Sequence, residues 1–174
     1  SDFAINNRIT GPGSLVVPSG KTYTVPAITV GVGIVNNGTV DCGTNKVQFT
    51  GVFKNGTTGT FKASASEDNN ATVFLNTADF RNGNFDFSGD GTVKSICFYN
   101  KTDDSSKTAT TFYTSTEKPL TVKNFFFGGN VNITLGNTLN CTDFSSDCLG
   151  NDDYFNRANF TVNITGGEIK CKSM

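Results

Sequence analysis

No histidine occurs among the 174 residues, which removes Ser-His-Asp and Cys-His nucleophilic chemistry at the outset. No Gly-rich loop runs into Lys-Ser or Lys-Thr, so there is no phosphate cradle. Paired carboxylates are the acid–base chemistry that remains, as in glycosidases. The stretch ADFRNGNFDF (78–87) sets Asp79 and Asp86 on either side of Asn82-Gly83, with Arg81 between them. A hairpin there would oppose the two carboxylates, although a solvated face with a local ion pair is the simpler reading. SGDGT (88–92), Asp103-Asp104 and Asp152-Asp153 offer oxygen ligands. None has a complete calcium-loop spacing, and all read as plain turns. Tyr23, Tyr99, Tyr113 and Tyr154 are candidates for stacking on sugar rings, with core packing the competing reading. No catalytic group, metal or cofactor is expected.

Two other residue types are placed for covalent chemistry. Eight asparagines open Asn-x-Thr triplets: Asn37, Asn55, Asn70, Asn100, Asn132, Asn140, Asn159 and Asn163. Composition alone would give roughly three matches to such a pattern. Dense N-linked glycosylation is therefore expected, with accident in an Asn/Thr-rich chain as the alternative. Asn140 is the exception, because Cys141 occupies its middle place. The five cysteines are Cys42, Cys97, Cys141, Cys148 and Cys171. None forms a Cys-x-x-Cys pair, and without histidine a mixed zinc site has no nitrogen ligand. Two disulfides and one leftover thiol are expected: Cys141–Cys148 locally, and one long-range pair among Cys42, Cys97 and Cys171.

The elements that must carry these residues are strands. Asn, Thr and Gly are abundant, at 21, 25 and 19, and all three favour turns and strands over helices. The 16 phenylalanines and the many Val and Ile residues supply a core. Four stretches read as hairpins with one apolar and one polar face. NFTVNITGGEIKC (159–171) turns at Gly166-Gly167, ADFRNGNFDF at Asn82-Gly83, GIVNNGTVDC (33–42) at Asn37-Gly38, and VKNFFFGGNVNITL (122–135) at Gly128-Gly129. In the first, Val162, Ile164, Ile169 and Cys171 share the dry face, while Asn159 and Asn163 take the wet one. The expected fold is all-β, an antiparallel β-sandwich of hairpins and Greek-key connections. A β-solenoid is the alternative, since glycine turns recur at 38, 56, 83, 129 and 167, but their spacing is irregular.

Residues 1–13 read as an extended N-terminal arm, with Phe3, Ile5 and Ile9 on one side and Gly11-Pro12-Gly13 as a hinge. Such an arm is placed to donate a strand to a neighbouring copy, with packing on its own subunit as an ordinary first strand as the alternative. Residues 14–174 read as one β domain. The net charge of −1 gives no electrostatic case for nucleic acid. The longest apolar run, VPAITVGVGIV (25–35), is too short to span a bilayer. The chain opens on Ser1 rather than Met, as expected for a processed secretory product or a trimmed chain. Together these features point to an extracellular or cell-surface protein without catalytic activity. The expected role is a structural subunit of an N-glycosylated filament or coat, with copies of itself as partner. The alternatives are a carbohydrate- or receptor-binding module of an adhesin or viral spike, and, further off, a carboxylate-dependent carbohydrate-active enzyme.

Overall fold

The computed structural model describes residues 3–4, 8–26, 28–63, 72–86, 95–100, 109–146 and 161–174. The strand content is as expected, with eighteen strands from Phe3–Ala4 to Val162–Lys170. Their arrangement is not. All sixteen strand pairings among the described residues are parallel. The chain is a β-solenoid, and the antiparallel sandwich is wrong.

Each coil passes through three sides, named here C, B and A in the order the chain visits them. Side C stacks residues 9–10, 29–30, Gln48–Phe49, Thr72–Phe74, Ile96–Tyr99, Asn124–Gly128 and Asp143–Ser145. Side B stacks residues 14–17, 34–36, Phe53–Asn55, Ala78–Asp79, Thr110–Tyr113, 131–135 and 162–166. Side A stacks Phe3–Ala4, Thr22–Thr24, Thr39–Asp41, Thr60–Lys62 and Asn84–Asp86. Leu120–Thr121 and residues 138–140 and 168–170 take its place in the later coils. Four long strands, Ile9–Val17, Thr29–Asn36, Val131–Asn140 and Val162–Lys170, run unbroken around a corner from one side to the next.

The apparent hairpins are corners. Ala78–Asp79 and Asn84–Asp86 never pair with each other; the first lies between Phe53–Asn55 and Thr110–Tyr113, and the second on Thr60–Lys62. The chain at Gly166-Gly167 turns a corner within the single strand Val162–Lys170, which pairs along its length with Val131–Asn140. Side chains alternate with period two in parallel and antiparallel strands alike, so the alternation did not distinguish them. Gly83 has φ +73°, which glycine tolerates best. A Cβ there would also lie 2.4 Å from the Gly56 and Gly59 carbonyl oxygens of the coil before.

Inward residues stack coil upon coil. One row on side B reads Leu15, Ile34, Phe53, Ala78, Phe112, Ile133 and Ile164. On side C, Phe49 lies over Phe74 with ring centroids 5.3 Å apart and near-parallel planes. Phe53 packs edge-on against Phe61 at 5.1 Å. This continuous core of aromatic rings replaces the interface between two sheets that a sandwich would need.

The N-terminal arm closes on its own chain: Phe3–Ala4 pairs with Tyr23–Thr24, and Ile9 pairs with Val30. Ile5 lies outside the described residues. No disulfide joins cysteines among the described residues, against the long-range pair expected; Cys148 lies outside the described residues. Cys42 sits fully buried at the end of side A, where the adjoining coils place Val25 and Ala63 rather than a cysteine. Cys97 faces the other way, among Val73, Leu75, Tyr99 and Phe126. No helix among the described residues is long and apolar enough to cross a membrane.

Candidate ligand-binding face

Side B turns two rows of polar side chains outward. One row runs Lys54, Asp79, Tyr113, Thr134, Thr165, and the other Thr111, Asn132, Asn163. Parallel pairing in register puts like positions of successive coils side by side, about 4.8 Å apart. Two Asn-Ile-Thr triplets, 132–134 and 163–165, are thereby stacked. The Asn163 amide donates to Asn132 Oδ1 at 3.0 Å, and the Thr165 hydroxyl donates to Thr134 Oγ1 at 3.4 Å.

At the middle of this face lies a charged and aromatic group. Arg81 Nε donates to Asp79 Oδ1 at 2.9 Å and Arg81 Nη2 to Asp79 Oδ2 at 2.7 Å. This is the bidentate geometry in which a guanidinium is well held. The Arg81 backbone N–H adds a third bond to Asp79 Oδ1 at 3.1 Å. Fixed in this way, Arg81 lays its guanidinium carbon 4.3 Å from the centroid of the Tyr113 ring. The Asp79 carboxyl is nearly enclosed while the Arg81 side chain stays 54% exposed. Burial pushes the Asp79 pKa up, but the hydrogen bonds and charge of Arg81, with Lys54 beyond, outweigh it and hold the carboxyl below its ordinary value. Asp79 is thus an anchoring anion and not an acid.

Among the described residues, the charged groups that act on Asp79 are Arg81 and Lys54. Asp86 belongs to side A, on a strand paired with Thr60–Lys62, so the opposed pair expected of a hairpin does not form. Among the described residues no cluster of three or more metal-ligating side chains occurs. The three acidic turns at 88–92, 103–104 and 151–153 lie outside them.

The acceptor asparagines fall into distinct environments. Asn55 is fully buried, accepting from the Asn36 amide at 2.8 Å and donating to Asn82 and Asn84 carbonyls at 3.0 Å. Asn100 is 2% exposed and donates to the Asn130 carbonyl at 2.9 Å. Both amides lie inside corners, where a sugar has no room. Asn37, Asn132 and Asn140 are half-buried and Asn163 is exposed; Asn70 and Asn159 lie outside the described residues. Of the tyrosines, Tyr23 and Tyr99 are buried, Tyr113 lies on the face, and Tyr154 lies outside the described residues.

Two thiols are shifted by their surroundings, the buried Cys42 and the half-buried Cys141. Burial, with Asp41 adding to it, pushes the Cys42 pKa far above the ordinary thiol value. Burial, then Cys171 and Asp143, pushes Cys141 up to about 11.

The pairing of Arg81 with Tyr113 crosses coils and had no local signal in the sequence. The Asn36–Asn55 contact did have one, since both close a side B strand ahead of a glycine corner. No family model matches the chain, and no curated protein or solved structure is similar to it.

Proposed function

We propose that the chain is a non-catalytic module of an extracellular surface protein of the adhesin or spike type. In this reading the outward face of side B contacts a carbohydrate or a carbohydrate-bearing receptor. The observation that carries it is the Arg81–Tyr113 pair beside stacked Asn and Thr side chains. An aromatic ring, a fixed guanidinium and repeated amide and hydroxyl groups are the complement of a sugar's apolar face and its hydroxyls. The Asp79 carboxylate on this face is taken up by its bonds to Arg81. N-linked glycans are compatible with the reading at Asn37 and Asn140, whereas sugar on Asn132 or Asn163 would cover the face itself.

A glycan array probed with the labelled protein tests the proposal. Binding that is lost in Tyr113→Ala and Asn163→Ala, but kept in the side A variant Lys62→Ala, is the expected result. No binding by the unaltered protein, or equal binding by all variants, would sink it. A second reading, the subunit of a filament or coat, is favoured by a separate observation: among the described residues, 14–17 and 162–166 each pair on one edge only.

A further inference from the structure

We propose that copies of this chain stack end to end, residues 162–166 of one copy pairing in parallel with residues 14–17 of the next. This deepens the filament reading and is independent of ligand binding on side B.

The backbone directions at the two ends carry the inference. The Val131 N–H donates to the Thr161 carbonyl. Backbone groups alternate in direction along a strand, so Asn163 and Thr165 turn theirs toward the coil before. Val162 and Ile164 turn theirs away, on the side where no strand of the described residues lies. At the other end, the Asn37 N–H donates to the Val17 carbonyl. Val17 and Leu15 therefore face the next coil, and Ser14 and Val16 face away. Among the described residues, 162–166 pair with no following strand and 14–17 with no preceding one.

The side chains agree with this polarity. The inward row that begins at Leu15 ends at Ile164, which is 43% exposed for want of a residue above it. Seating Leu15 of the next copy over Ile164 continues the row with the spacing it has inside the chain. The Ile164 N–H then donates to the Ser14 carbonyl, and the Val16 N–H to the Ile164 carbonyl. Val16 is 51% exposed, with its side chain on the outer surface. Soluble proteins guard such edges with charges, prolines or bulges. Residues 14–17 (SLVV) and 162–166 (VNITG) contain no charge and no proline. Because the two surfaces are different, the contact is head-to-tail and does not close.

Sedimentation velocity over a concentration series, with negative-stain electron microscopy, tests the proposal. The unaltered chain should form a concentration-dependent series of end-to-end oligomers. V16P removes an edge N–H while its side chain stays outside the core. I164K places a charge in the joint. Each variant, folded by circular dichroism, should remain monomeric where the unaltered chain assembles. V16P keeps the 162–166 edge and I164K keeps the 14–17 edge, so an equal mixture should form dimers and stop there. Thr165→Lys, on the outer face, should assemble normally. A monomeric unaltered chain at every concentration would overturn the proposal. So would assembly of V16P, and V16P alone decides if I164K fails to fold.

Discussion

Replacing Asn55 by alanine removes an internal amide that links three coils. The Asn55 amide nitrogen donates to the carbonyls of Asn82 and Asn84 at 3.0 Å and of Gly59 at 3.3 Å, and its oxygen accepts from Asn36 at 2.8 Å. After truncation the Gly59 carbonyl keeps the Asn84 N–H, and the Asn36 amide keeps the Thr60 carbonyl. The Asn82 carbonyl loses the partner that the side chain gave it, while the Asn84 carbonyl keeps its place in the ladder with Thr60–Lys62. A buried group left unsatisfied costs about 1–3 kcal/mol, so one part-buried carbonyl and the lost amide bonds together should cost about 1–2 kcal/mol. There is little slack nearby, because Asn36 Oδ1 already lacks a partner. Domains of ordinary stability have about 5–15 kcal/mol in hand, so the variant should fold but unfold at clearly lower denaturant. Urea titration followed by circular dichroism measures this, with Asn37→Ala as the control. Asn55→Asp should be at least as damaging, since it replaces a donor with a buried anion facing carbonyls. A loss below about 1 kcal/mol in Asn55→Ala would refute the reasoning. Glycan found on Asn55 of natively folded protein would refute it as well.

Three further outcomes follow from the same geometry. Phe53→Ala empties a fully buried ring site bordered by Phe49, Phe61, Phe74 and Phe80 and should cost about 3–5 kcal/mol in a denaturant titration. The stability gap between the unaltered protein and Asp79→Asn should depend on pH. A carboxyl held low in the folded state stabilises above its unfolded value, about 3.9, and that contribution is lost as pH falls through the folded value; urea midpoints should converge in acid, and a gap that widens there would contradict the Asp79–Arg81 assignment. Cys42 should resist iodoacetamide in native protein and react on unfolding, as peptide mass mapping would read, because its thiol is enclosed and its pKa is raised.

The strand content was legible because β-branched and aromatic residues alternate with polar ones between glycine-bearing turns. Parallel pairing was not, for two physical reasons. Asn-Gly and Gly-Gly mark any place where the backbone needs a positive φ, and a solenoid corner needs one as much as a hairpin does: Gly83, Gly129 and Gly166 have φ of +73°, +74° and +73°. The repeat was also masked by unequal coils. Along the inward row from Leu15 to Ile164, successive members are 19, 19, 25, 34, 21 and 31 residues apart. Only the first two steps are equal, too few to stand out as a period. The cysteines misled for a related reason. Cys42 lies on an apolar face as expected, but stacking surrounds it with Val25 and Ala63, and a disulfide needs Cα atoms within about 7 Å. Of the candidate face, Arg81 and Asp79 were legible as a local ion pair, while Tyr113 enters only because coil stacking brings Thr110–Tyr113 beside Ala78–Asp79.

The solenoid also gives the Asn-x-Thr triplets a second cause. Corners need a side chain that can satisfy backbone carbonyls from within, and Asn36, Asn55 and Asn100 do this. Outward columns place like residues in contact from coil to coil, where amides and hydroxyls can bond to their counterparts, as Asn163 does to Asn132 and Thr165 to Thr134. Asparagine is thus favoured at corners and in columns, and threonine in strands. Their coincidence at a spacing of two then follows from the alternation of a strand, since residues i and i+2 share its outer face. The excess of triplets over chance is therefore no measure of glycosylation. Modification has to be judged position by position, from whether the amide nitrogen reaches solvent. By that criterion Asn55 and Asn100 are structural amides, and the stacked pair Asn132 and Asn163 belongs to the face on which the proposed ligand lies.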